Sequence, residues 1–270
     1  MTPDRRDQSP HQHAAVLLAM RLFFVLLICG DLVFIGIHIG HISTPWLRGA
    51  HYGLETDGGL AEFYQYMKQF WIALCMVTVF IQRRQAPYLC WAGLFGFLLV
   101  DDAVQIHERA GYFLGQRLGL PAVFGLRPDD LGELIVAAVV GGTLVLTLAV
   151  TLWRERGPAL RISRDLFLLT VALGICGVLL DMIHVIVYFR APSVSTVLAL
   201  LEDGGEMLIV SALTAYAFHI VLSGGQSRLN LWRLLTGQSR RSDDDEGAPA
   251  DRRARRRGGK AGGRENESAA

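Results

Sequence analysis

The chain has 270 residues, of which 51% are hydrophobic and 19% charged, with four cysteines and a formal net charge of +1. Soluble domains carry about a quarter charged residues, so this composition, concentrated in long apolar runs, excludes an ordinary water-soluble domain. Cys29, Cys75, Cys90 and Cys176 all sit within apolar runs and form no CxxC pair, so they read as small core residues rather than as a disulfide framework or a thiolate metal site.

A helix needs about 20 mostly apolar residues to cross the hydrocarbon core. Residues 1–14 read as a short cytoplasmic segment. Six spans follow, at 15–39, 63–81, 87–106, 131–153, 166–188 and 198–222, giving an all-α polytopic membrane domain over 15–222. The first is too long for a secretory signal, contains Asp31 and precedes no small-x-small cleavage site. After the last span, residues 223–236 form a juxtamembrane segment. Its LNLWRLL stretch (229–235) reads as an amphipathic helix, with Trp232 at the interface and Arg233 near anionic lipid. Residues 237–270 are rich in Arg, Gly and acids and poor in apolar residues, a composition that stays disordered. The acids and glycines among its arginines favour a lipid or partner contact over nucleic acid, and no nucleic-acid binding is expected.

Arginines set the orientation. Arg5, Arg6 and Arg21 precede or open the first span, Arg83 and Arg84 follow the second, and Arg154, Arg156, Arg161 and Arg164 follow the fourth. Both termini are therefore expected in the cytoplasm, with the protein in the cell membrane, as in a bacterial inner membrane.

The ionisable residues within spans then share one depth. Outward-going helices end in acid plus histidine: Asp31 and His38; Asp101, Asp102, His107 and Glu108; Asp181 and His184. Inward-going helices begin with acids: Asp57 and Glu62; Asp129, Asp130 and Glu133; Glu202, Asp203 and Glu206. No comparable cluster stands at the inner ends, where Thr214 and His219 are sparse. Such residues are costly in a bilayer and face a bundle interior or cavity. DDLGELIV (129–136) and EDGGEMLIV (202–210), with DDAVQIHE (101–108) and DMIH (181–184), suggest three related helical hairpins. On unbroken helices Asp101, Gln105 and Glu108 share a face, as do Glu62, Tyr66 and Gln69, and Asp31 and His38.

Several carboxylates close together in low dielectric need a neutraliser. If it is a metal, acids with imidazoles suit Zn, Fe or Mn, with Zn or Fe the expected cofactor. Asp181 and His184 have the acid-x-x-His spacing of bundle di-metal sites, and Asp101, His107, Glu62 and Glu206 complete the expected ligand set. Glu206 and Glu108 are the expected general bases. That reading makes the chain a metal-dependent enzyme acting on a lipid or other hydrophobic substrate. If the neutraliser is a shared proton or a passing cation, the same groups make a cation- or proton-coupled transporter, with Gly58, Gly59, Gly132, Gly204 and Gly205 marking broken helix ends. If it is Lys68, Arg109, Arg127 or Arg190, or if the acids only cap helices, the chain is a non-catalytic scaffold. There is no GxSxG, Walker A, Rossmann or HExxH motif.

The Asp/Asp-x4-His-Glu element of DDAVQIHER and the Glu-Asp-Gly-x-Glu-Met element of LEDGGEML resemble those of uncharacterised bacterial multi-pass membrane proteins. That resemblance brings no activity with it.

Overall fold

The computed structural model describes residues 10–227, except 48, 124, 154, 156, 189 and 190. The chain divides into two units, 1–230 and 231–270. The second unit, the expected amphipathic stretch 229–235 and the expected disordered tail lie outside the described residues, as do Arg5, Arg6, Arg48, Arg154, Arg156 and Arg190.

The described residues are helical almost throughout. α1 spans Pro10–Ser43, α2 Leu60–Arg83, α3 Ala86–Val104, α4 Ile106–Leu118, α5 Pro128–Leu152, α6 Pro158–Gly174, α7 Asp181–Val187 and α8 Pro192–Leu222. A single π-helical stretch, Ile175–Leu180, joins α6 to α7, so Pro158–Val187 is one membrane-length rod. Proline opens α5, α6 and α8 in the first turn, where its missing N–H leaves no orphan donor.

Five of these rods are long and apolar enough to cross a membrane: Ala14–Ser43, Ala86–Val104, Pro128–Leu152, Pro158–Val187 and Val194–Leu222. Large apolar side chains stand exposed along them, including Leu18, Leu22, Leu26, Val139, Leu146 and Val150. A soluble surface does not carry apolar area on that scale, and a membrane protein does. α2, the expected second span, has the length at 24 residues but is less apolar. Gln65, Lys68 and Gln69 lie on its buried face, so its polarity is turned into the bundle.

Two of the three expected hairpins form: α4 packs along α5, and α6, the π-helical stretch and α7 pack along α8. The first does not, because α1 packs mainly on α8 and touches α2 only slightly, while α2 packs along α3 and α8. The apolar core fills one end of the bundle, where Ile72, Met76, Tyr88, Trp91, Leu213 and Ile220 from α2, α3 and α8 are buried together. The opposite end holds the acids.

Three local features shape that acidic end. The third span breaks at Gln105, whose φ of 56° is left-handed, and α4 leaves as a separate 13-residue helix. A non-glycine residue there costs about 1–2 kcal/mol. Gly132 of α5 lies so close to α4 that a Cβ on it would stand 2.0 Å from the Gly111 carbonyl oxygen. Gly177, in the π-helical stretch, leaves space that a Cβ would fill to within 1.9 Å of Glu206 Oε1. Gly132, Gly204 and Gly205 lie inside continuous helices, so the broken ends expected there are absent, and Gly132 serves close packing instead.

Candidate functional site

The break at Gln105 builds the site. A residue six positions along a continuous helix points about 120° away, so Asp101 and His107 could not meet on an unbroken span. With the chain turned at Gln105, Asp101 Oδ1 accepts the His107 amide at 2.7 Å, capping α4. The His107 ring nitrogen Nδ1 lies 3.1 Å from Asp101 Oδ2. Asp102 joins them: one ligand atom each from Asp101, Asp102 and His107 lies within 4.8 Å of the others, a spacing that one metal ion can span. Among the described residues this is one such group of three. α2 supports it from the side. Gln69 Nε2 donates to Asp102 Oδ2 at 2.5 Å, and Tyr66 Oη donates to the Asp102 carbonyl at 3.1 Å.

The other expected site residues surround this group. Glu62 accepts the Gly58 amide at the start of α2. Glu108, one residue past His107, faces Asp57, Glu62 and Asp101, and burial first, then those negative charges, push its carboxyl above the usual glutamate range, with His107 opposing. Asp181 is within electrostatic range of Asp130, His184 and His107. His184 Nδ1 lies 3.1 Å from Glu202 Oε2. Glu206 is within range of Asp102, Asp203 and Asp181. The acids and histidines of α3, α4, α7 and α8 thus gather at one end of the bundle. Within that gathering, Asp101 and His107 reach metal-ligand spacing with Asp102, while Asp181, His184, Glu62 and Glu206 fall outside that group. Asp101 and Glu108 do not share the single helix face expected of them, because the helix breaks between them.

Two of the expected cations have partners. Arg127 forks onto Asp130, with Nη2 2.6 Å and Nε 3.0 Å from Oδ1, while its amide donates to Oδ2 at 2.7 Å. Asp130 therefore caps α5. Lys68 is fully buried and donates to Asp31 Oδ1 at 2.9 Å, the Met207 carbonyl at 3.0 Å and Ser211 Oγ at 3.2 Å. Ser211 in turn donates to Asp31 Oδ2 at 2.6 Å. This closed network ties α1, α2 and α8 together. Asp31 and His38, expected on one stripe, serve different partners: His38 Nδ1 accepts the Leu54 amide at 3.1 Å.

Sequence reasoning missed Asp165. The fifth span was expected to start at residue 166, but α6 begins eight residues earlier, and Asp165 is fully buried with Tyr216 Oη donating to it at 3.0 Å. It lies at the apolar end, so that end also holds a polar contact. The signal was available: an acid followed at once by a long apolar run extends a helix as readily as it flanks one.

A family model described as a domain of unknown function, DUF8692, matches residues 41–220. The chain belongs to the DUF8692 family. No curated protein and no solved structure matches it. The DUF8692 region takes in Gln69, Asp101, Asp102, His107, Asp181, His184 and Glu206, together with Lys68 and Ser211. Nearly all of α1, with Asp31, lies before it.

Proposed function

We propose that this DUF8692 protein is a membrane-embedded, metal-dependent enzyme acting on a lipid or other hydrophobic substrate. The observation that carries the reading is the convergence of Asp101, Asp102 and His107 within 4.8 Å at a strained left-handed residue. Strain of that kind collects at functional sites. A divalent metal held there would lower the pKa of a bound water toward neutrality. Glu108 and Glu206 stand within electrostatic range of the group and are the residues assigned to take and return its proton. The raised proton affinity of Glu108 suits that work. A substrate with an apolar tail can approach along the exposed apolar faces of α1 and α5.

The proposed topology places α2 as a sixth crossing, both termini in the cytoplasm and the site at the outer face of the cell membrane. Arg83 and Arg84 at the end of α2, and Arg161 and Arg164 in α6, all at the opposite end from the site, support it.

Metal analysis of the purified full chain tests the reading, beside D101N and H107A and with a panel of phospholipid and acyl-ester substrates. The expected result is about one metal per chain in the wild type, lost in both variants, with product release that stops on chelation and returns on metal addition. A wild type without stoichiometric metal refutes it.

Cation- or proton-coupled transport is a second reading. It draws on the buried Asp31–Lys68–Ser211 network and on Asp165–Tyr216, which carry polar groups beyond the acidic end. Ion-driven flux in reconstituted vesicles, together with no bound metal, would favour it over the enzyme.

A further inference from the structure

Gln69 is 5% exposed, and its two amide atoms have different fates. Nε2 donates to Asp102 Oδ2 at 2.5 Å, whereas Oε1 is buried with no hydrogen-bond partner. A buried amide oxygen without a donor is exceptional in native folds and calls for an explanation. The head of this side chain touches one of the three residues of the candidate metal group. A half-turn of the amide about its last torsion exchanges oxygen for nitrogen at nearly the same position, because the two ends have the same shape. Without a cation, the Asp102 carboxylate only accepts hydrogen bonds, so the amide nitrogen faces it. With a cation on that carboxylate, an oxygen is the better neighbour.

We propose that Gln69 is the fourth protein ligand of the site and that its Oε1 turns onto the cation with Asp101, Asp102 and His107. The donor set is then two carboxylates, one amide carbonyl and one imidazole. Carboxylate and carbonyl donors suit Mg, Ca and Mn, and imidazole suits the transition metals. Manganese(II) accepts both kinds of donor and serves as the probe of the site, although zinc binds a given donor set more tightly in general. This inference rests on the metal reading above and adds a fourth ligand to it.

The test uses the full chain, purified in detergent and stripped of metal by a chelator. Manganese(II) is titrated in and followed by loss of the free-ion electron paramagnetic resonance signal, with zinc(II) titrated separately. Wild type, Q69L, Q69E and H107A are compared. One manganese site per chain is expected, weakened about ten-fold or more in Q69L, retained in Q69E, which keeps an oxygen donor, and abolished in H107A. Zinc affinity should change less than manganese affinity in Q69L. Thermal unfolding of the metal-free proteins provides the folding control. Q69L deletes a buried oxygen that lacks a partner but also the Nε2 bond to Asp102, so it is required there only to unfold cooperatively. Equal manganese affinity in Q69L and wild type overturns the role of Gln69 while leaving the metal site standing. So does a Q69E variant that loses manganese as fully as Q69L. Absence of both manganese and zinc binding in the wild type overturns the metal reading itself.

Discussion

Removing Lys68 should unfold this bundle more readily than almost any other single side-chain change. Its ammonium has three donors, and the structure spends all three, on Asp31 at 2.9 Å, Met207 at 3.0 Å and Ser211 at 3.2 Å. Both charged side chains are fully buried, so no water can replace the lost partner. K68M leaves the Asp31 carboxylate with Ser211 Oγ as its remaining donor among these contacts. Orphaning one member of a buried ion pair costs about 3–5 kcal/mol, and D31N should cost a similar amount by leaving the ammonium without a counter-charge. Replacing both with apolar residues of similar size removes the two desolvation penalties together, and such replacements are often neutral or better. The double variant D31L/K68M should therefore be more stable than either single, with a coupling energy of roughly 2–3 kcal/mol. Equilibrium unfolding of the purified chain in mixed micelles, run as a double-mutant cycle, measures this. If K68M falls within about 1 kcal/mol of wild type, or the double variant loses the sum of the two singles, the pair is not the lock described here.

The Gly132 contact predicts that G132A forces α4 from α5, because the new Cβ would meet backbone that cannot swing aside. A loss of about 1–3 kcal/mol is expected from such overpacking, whereas G141A, whose Cβ meets open space, should be neutral or slightly stabilising; thermal unfolding of both separates the effects. Glu108 predicts a pH dependence. A carboxyl whose folded affinity for its proton is raised contributes stability that is complete below the unfolded glutamate value and is lost as pH rises through the folded one. Unfolding temperature should therefore decline as pH climbs out of the usual glutamate range, and E108Q should flatten that part of the profile; identical profiles would refute it. Metal removal gives a further check: chelation should lower the unfolding temperature of wild type by ligand linkage and leave that of H107A unchanged.

Some of this was written in the sequence alone. Hydropathy is a local property, so the membrane helices and their approximate ends follow from runs such as 131–153 and 198–222. The gathering of acids and histidines at one end follows from where Asp101, Asp181 and Glu206 fall in those runs. Capping is equally local, and Asp130 caps α5 three residues after Arg127. What the sequence could not supply was which charges meet. Lys68 and Asp31 are 37 residues apart, and only the packing of α1 and α2 around α8 makes them partners. Asp101 and His107 are legible as candidate ligands, but their closure with Asp102 is not, because helical periodicity places residues 101 and 107 on different faces. One left-handed residue, Gln105, resets that phase, and a backbone turn of this kind is selected by tertiary contacts rather than by the preferences of the residue that makes it.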